Sequence, residues 1–364
     1  MIVGAGPAGL AVARTLQRRG VRAVLVDRQG VGATWAAAYP HLRLHTLRGA
    51  AALSGLAYPP GTSRFPTRAE VHAYLQAYAE RFALDVRAGV TVTAAEPGPD
   101  GWRLATSVGP WRARVLVWAA GIWAAPVEPD LPGRERFAGT VLHVAAYRGP
   151  EAFRGRRLLV VGAGNSGKDV AVAAIGVAAD VTVAVRGGVL TVGYPNLVSQ
   201  RAGALWRRLP PQLADAWLRR LRRPAPELPW PDGPLTEAVP VVGFELVDAV
   251  RAGRVRLRPA VVGFSARSVR FADGGEAPFD AVVLATGFRP ATDPIARHLD
   301  ADGAPVAPGL VVVGARYPTL ETWLQQLRRE APAAAGAVVA ALGEPGSRCW
   351  PWRRGRVLRS RRHG

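Results

Sequence analysis

Short apolar runs recur along the chain, and glycine-rich turns separate many of them from alanine-rich stretches. Ala23 to Val26, Val115 to Trp118, Leu158 to Val161, Val181 to Val185, Phe279 to Leu284 and Leu310 to Val313 are brief and mostly β-branched or aliphatic. Continuous runs of this kind read as strands covered on both faces, as in a parallel sheet. Thr67 to Phe82 instead repeats its apolar positions at helical spacing, and Thr67 with Glu70 forms a capping box, so a helix is predicted there. A longer helical stretch is predicted over Thr319 to Leu342. Residues 86–121 predict three strands around turns at 97–101 and 109–110, and alternating strands resume from Val255. Strands alternating with helices predict an α/β fold with parallel sheets and crossover helices.

Two of the glycine turns share one pattern. Gly4-Ala5-Gly6-Pro7-Ala8-Gly9 and Gly162-Ala163-Gly164-Asn165-Ser166-Gly167 both fit G-x-G-x-x-G. The first glycine permits a tight turn, the second lets a pyrophosphate approach the backbone, and the third lets helix pack on strand. One such match is weak; two, each after a strand and before a helix, predict two Rossmann-like dinucleotide-binding domains. The residues that follow distinguish them. The run after the first cradle ends in Asp27, suited to an unphosphorylated ribose hydroxyl. The run after the second ends in Arg186, suited to a 2′-phosphate. This pairing predicts FAD or NAD in the first cradle and NADPH in the second. Gly162 to Lys168 also fits the start of a P-loop, but Asp169 stands where a Mg²⁺-binding hydroxyl belongs. Lys168 is expected to face solvent, with a place near the cofactor phosphates as the alternative.

The chain of 364 residues suits two domains. Its single cysteine, Cys349, excludes a disulfide framework and a C-x-x-C redox pair, and the six histidines show no metal-binding spacing. The formal charge is +20, carried by arginine apart from Lys168. The arginines are scattered without a nucleic-acid motif. With many Ala, Gly and Pro and few Asn or Ile, they read as genomic composition bias, and no nucleic-acid partner is expected. No apolar run reaches the roughly 18 residues of a membrane span. The chain enters a strand almost at once, so a cytoplasmic location is expected. Met1-Ile2-Val3 is short for a first strand, which suggests a truncated or misassigned start.

The expected organisation is a first part of an FAD-binding domain over 1–150, an NADP-binding domain over 151–260, the rest of the FAD domain over 261–345, and a disordered basic tail over 346–364. The NADP domain is thus inserted into the FAD domain. Within it, residues 200–236 form a basic helical insertion that fits a lid, a substrate wall, a helix lying on a membrane surface, or a solvated excursion. The turns closing two strands, Ala119-Ala120-Gly121 and Ala285-Thr286-Gly287, add Gly121, Thr286 and Gly287 as cofactor-facing candidates.

Phe137 to Tyr147 matches F-x-G-x-x-x-H-x-x-x-[YF], and Gly32-Ala33-Thr34-Trp35, Tyr39, Leu42 to Thr46, Phe65 to Arg68 with Tyr74-Leu75, and Leu284 to Pro290 accompany it. In these segments the chain resembles the class B flavin-containing monooxygenases, in particular the bacterial flavin monooxygenase-like and plant YUCCA-type groups, from Ile2 to about Leu342. The resemblance implies that Gly4, Gly6, Gly9 and Asp27 hold FAD. It implies that Trp35, Arg43, His45 and Thr46 line the flavin. It implies that Gly162, Gly164, Asn165, Ser166, Gly167 and Arg186 hold NADPH. Phe137, Gly139, His143 and Tyr147 would couple the two sites, with His143 and Tyr147 the catalytic candidates. A hinge role for His143 and plain packing for Trp35 stand as alternatives. The implied reaction places one atom of O₂ in a small organic substrate through a C4a-(hydro)peroxyflavin. Tyr147 and His45 stand where the Baeyer–Villiger subgroup has tryptophan and aspartate, which favours N- or S-oxygenation or a YUCCA-like oxidation. Asp27 replaces the family's usual glutamate, and Ala315 an aspartate common among two-dinucleotide flavoproteins. An FAD-dependent NADPH oxidase or reductase, and a non-catalytic nucleotide-binding regulator, are the competing readings. Peripheral membrane contact is open, and oligomeric state is not legible.

Overall fold

The computed structural model describes residues 1–194, 239–316 and 323–343, with isolated positions 210, 212, 213, 216, 228 and 229 between them. The basic insertion at 200–236, apart from those positions, and the tail at 346–364 lie outside the described residues. Two five-stranded sheets organise the rest. The first runs Leu310–Val312, Leu116–Trp118, Ile2–Val3, Val24–Asp27, Asp85–Ala88, with every pair parallel. The second runs Arg256–Arg258, Asp180–Ala184, Arg157–Val161, Ala281–Leu284, Thr140–His143, again all parallel. In each, the strand feeding a glycine cradle is central. Such a strand is covered on both faces: Leu158 and Val160 pack with Val170, Ala171 and Ala174 of the helix that follows, and Leu159 packs with Phe264, Val269 and Phe271 of an antiparallel sheet, so all three are apolar and fully buried.

The second sheet falls in the chain between two strands of the first, so the second domain is inserted in the first, as the sequence predicts. Its extent differs from 151–260. Thr140–His143 and Ala281–Leu284, assigned from sequence to the first domain, are hydrogen-bonded strands of the second sheet. The physical reason is a symmetry between domains. Leu116–Trp118 runs into Ala119, against which Gly4 packs, and Ala281–Leu284 runs into Ala285, against which Gly162 packs. Each cradle therefore needs its own neighbouring strand ending in a small residue and a glycine turn.

Each domain also carries a three-stranded antiparallel sheet. One is Val92–Gly98, Gly101–Thr106 and Trp111–Ala113; the other is Val261–Phe264, Ser268–Phe271 and Glu276–Pro278. Residues 86–121 thus hold more strands than the three expected, because short edge strands leave little periodicity. The linkers pair with each other as Ala125–Pro126 against Phe288–Arg289. The helix Arg68–Arg81 has the expected capping box, with Thr67 and Glu70 each bonding the other's backbone N–H. The helix Trp323–Gly343 packs on Pro7–Gln17. Among the described residues no helix is long and apolar enough to cross a membrane.

Candidate active site

The first cradle sorts its glycines into two kinds. Gly4 has φ +107°, and a Cβ there would lie 2.3 Å from the Ala119 carbonyl oxygen. A Cβ on Gly9 would lie 1.9 Å from the Gly4 carbonyl oxygen. These two are glycine because the chain itself leaves no room. Gly6 differs, since a Cβ there would meet nothing within 4 Å. Gly6 is also the N-cap of Pro7–Gln17, which has no side-chain cap and no acid in its first turn. The free N–H groups of that turn form an anion site beside open space.

The second cradle repeats this arrangement. Gly162 has φ +105° and its Cβ would lie 2.6 Å from the Ala285 oxygen; that of Gly167 would lie 1.9 Å from the Gly162 oxygen; Gly164 is open. Gly164 caps Asn165–Ala174, again without a side-chain cap. Gly121 and Gly287, at φ +85° and +90°, sit in matching turns with open space beside them. Thr286 turns its hydroxyl to the Val127 carbonyl. The residues present therefore fit two pyrophosphate-bearing cofactors.

Asp27 ends the strand Val24–Asp27, whereas Arg186 follows the strand Asp180–Ala184 by two residues, one position beyond Val185, the register counterpart of Asp27. Asp27 accepts backbone N–H groups from Ala5 at 2.9 Å and from Gln29 and Gly30 at 2.8 Å. Three of its roughly four acceptor positions are thus spent fastening the cradle to the next loop, which leaves about one for a ribose hydroxyl. Arg186 is exposed. Asn165 is otherwise engaged: its amide bonds the Pro240 carbonyl and the Val242 N–H, both at 2.9 Å, so it clamps the cradle to a neighbouring segment.

The segment that carries Trp35, Tyr39 and His45, expected from sequence to line the flavin, crosses between the cores. Trp35 is buried in the first core, edge-on to Trp123 at 6.0 Å, whereas Tyr39 is buried in the second. Thr46 is buried and Arg43 exposed, with a backbone bridge from Arg43 to Thr67. His45 lies edge-on to Tyr194 at 6.1 Å, and Phe65 lies 5.1 Å from the same ring. Burial pushes the His45 imidazole below its usual range.

Lys168 does not face solvent. It is 2 % exposed, with Nζ donating to the Val242 carbonyl at 2.8 Å and pairing with Asp169 at 3.2 Å and Glu245 at 3.4 Å. The neighbouring carboxylates raise its pKa against the opposing effect of burial. Tyr39 donates its hydroxyl to Asp169 Oδ2 at 2.8 Å. Sequence reasoning did not assign Asp169, Lys168 or Glu245 to this junction. The available signal was Lys168 itself, one lysine in a chain that otherwise uses arginine.

The fingerprint residues hold the linkers. A Cβ on Gly139 would lie 2.5 Å from the Phe137 ring and 2.8 Å from the Asp280 oxygen, so this glycine is a packing requirement. His143 is 4 % exposed. Its Nδ1 accepts the Ala145 N–H at 3.1 Å, so its Nε2–H donates to the Gly287 carbonyl at 3.0 Å. Burial lowers its pKa and favours that neutral form. Tyr147 is 1 % exposed, parallel to Phe153, with its hydroxyl lacking a partner among the described residues. Neither ring is presented to open space, so these surroundings favour hinge and packing roles over direct catalysis.

The flavin-binding monooxygenase-like family profile matches residues 113–295, and that of the pyridine nucleotide-disulphide oxidoreductases matches residues 1–199. The indole-3-pyruvate monooxygenase YUCCA8 of Oryza sativa subsp. indica is 37% identical, over 79% of this chain and 75% of its own length. The chain belongs to the flavin-binding monooxygenase family. It is an oxidoreductase, a flavin-dependent monooxygenase. The probable indole-3-pyruvate monooxygenase YUCCA4 of Arabidopsis thaliana is 31% identical over 79% of this chain and 75% of its own. Among solved structures, a flavin-containing monooxygenase from Stenotrophomonas maltophilia superposes with TM-score 0.74 at 26% identity, covering 94% of this chain and 98% of that one. An NADP-bound steroid monooxygenase, at 21% identity and TM-score 0.72, shares the fold. With one cysteine in the chain, the likeness to disulphide oxidoreductases does not extend to a redox cysteine pair.

Proposed function

We propose that this monooxygenase holds FAD in the Gly4–Gly9 cradle and NADPH in the Gly162–Gly167 cradle. It would place one atom of O₂ in a small organic substrate: substrate, O₂, NADPH and a proton give oxygenated substrate, water and NADP⁺. The observation that carries this reading is the pair of matched cradles with residues of opposite sign beside the ends of corresponding strands, Asp27 closing Val24–Asp27 and Arg186 two residues after Asp180–Ala184. When bound, FAD supplies oxygen activation and NADPH supplies the reducing pair. The chain's own residues bind and orient. The uncapped turns at Gly6 and Gly164 take the pyrophosphates. His143 holds the Gly287 turn in place. His45, Phe65 and Tyr194 give the junction an aromatic wall suited to a planar substrate. A soft nitrogen or sulfur nucleophile, or an aromatic 2-oxo acid of the kind named for the plant relatives, fits this reading better than a ketone undergoing Baeyer–Villiger insertion. We place the enzyme in the cytoplasm.

Arg186→Ala tests the cofactor assignment. A charge-assisted contact contributes about 1.5–3 kcal/mol, so the preference for NADPH over NADH should fall by roughly 10- to 100-fold. An unchanged preference would remove Arg186 from the 2′-phosphate site.

A further inference from the structure

Between Trp35 and Tyr39 the chain passes from the first hydrophobic core to the second. Tyr39 is 6 % exposed, its ring 5.6 Å from Tyr147, and its hydroxyl reaches Asp169 on the helix Asn165–Ala174. That helix begins at the second cradle. Asp169 lies five residues beyond the Gly164 cap, about 7.5 Å along the axis at 1.5 Å per residue. Its second oxygen is held by Lys168, which is fixed in turn on the Val242 carbonyl and Glu245. The Asp169 carboxylate is therefore paired, largely buried at 15 % side-chain exposure, and fixed at both oxygens. A neutral hydroxyl donating to such a carboxylate makes a short, directional, charge-assisted bond.

We propose that the Tyr39–Asp169 bond is the tether that sets the second cradle's helix against the flavin-side segment. Tyr39 and Asp169 act as positioning residues for hydride transfer from NADPH to FAD, which yields NADP⁺ and two-electron-reduced flavin. This rests on the assignment of NADPH and FAD made above. The tether touches neither open glycine nor Arg186, and its contact with the second cradle is from the Tyr39 hydroxyl to the Ser166 side chain, so it governs the rate of transfer more than affinity. A displacement of about 1 Å between reacting groups costs on the order of 100-fold in rate. Loss of one tethering bond is expected to cost roughly 10- to 100-fold.

The test uses the FAD-loaded full chain carrying Tyr39→Phe, which removes one oxygen and keeps the ring. Asp169→Asn and the double variant accompany it. Anaerobic rapid mixing across a range of NADPH concentrations separates the limiting reduction rate from affinity. Titration with NADP⁺, followed through the flavin absorbance change, gives affinity without turnover. The tether predicts a limiting rate roughly 10- to 100-fold lower in Tyr39→Phe, with NADP⁺ affinity within about threefold and reduction by dithionite unchanged. It also predicts a double variant no slower than the slower single, because both remove one interaction. Wild-type reduction rates in Tyr39→Phe, a loss confined to affinity, or independent multiplication of the two effects would overturn the tether alone. A wild-type flavin that NADPH does not reduce would overturn the cofactor assignment and the tether with it.

Discussion

At the scale of single residues, the cradles separate glycines the fold requires from glycines a ligand requires. Gly9 has no space for a Cβ, since the Gly4 carbonyl stands 1.9 Å away. Gly9→Ala should cost at least about 1–3 kcal/mol of stability through overpacking. Gly6 has open space around it, so Gly6→Ala should fold with a loss of about 1 kcal/mol or less from the cap position. The same methyl would stand against the bound pyrophosphate. Thermal unfolding with flavin content measured on both variants checks this: the prediction is a stable, flavin-poor Gly6→Ala and an unstable Gly9→Ala. The glycine spacing was legible in the sequence because G-x-G-x-x-G records backbone approach directly. The role of Asp27 was half legible. Its position is right for a ribose, but nothing in the sequence tells that three backbone N–H groups already use the carboxylate. Lys168 was misread because helical position alone does not reveal that Asp169 and Glu245 surround its ammonium group.

At the scale of elements, the linkers carry the pH behaviour. His143 makes both of its hydrogen bonds only while neutral: protonation keeps the Nε2–H donation to Gly287 but leaves Nδ1 unable to accept the Ala145 N–H. Its pKa is lowered by burial in the folded state, as is that of His45. The sign follows: their contribution is complete above the unfolded value near 6.5 and is lost as pH falls below it towards the folded value. Asp280, held down to about 2 chiefly by the Arg157 guanidinium, acts in a lower window, as does Glu70 in its capping box, also at about 2. Their contributions stay complete until pH falls below the usual carboxylate values near 4 and vanish towards 2. The melting temperature should therefore fall in two stages on acidification. His143→Gln, whose amide can still donate towards Gly287, should shrink the first stage to the share of His45 and leave the second. A first stage unchanged by that substitution would show that other groups carry it. The strands themselves were readable from apolar runs, and the Thr67–Arg81 region from its capping box. Sheet membership was not. Ala281–Leu284 has the composition of any buried parallel strand, and only its pairing with Arg157–Val161 assigns it to the second domain.

At the scale of the molecule, the fold is one dinucleotide unit inserted in another, with the segment from Trp35 to Leu42 anchored in both cores. The duplication of the cradle is legible in the amino-acid sequence, and so is the contrast between Asp27 and Arg186. The contacts between the halves are not, because Tyr39 and Asp169 lie 130 positions apart and no spaced motif joins them. The decisive measurement is made on the purified full chain: record its flavin absorbance, then add NADPH or NADH under anaerobic conditions, then readmit air. Two cooperating cradles predict a bound flavin that NADPH bleaches faster than NADH does, with colour returning in oxygen. A protein without flavin, or with a flavin indifferent to NADPH, would contradict it.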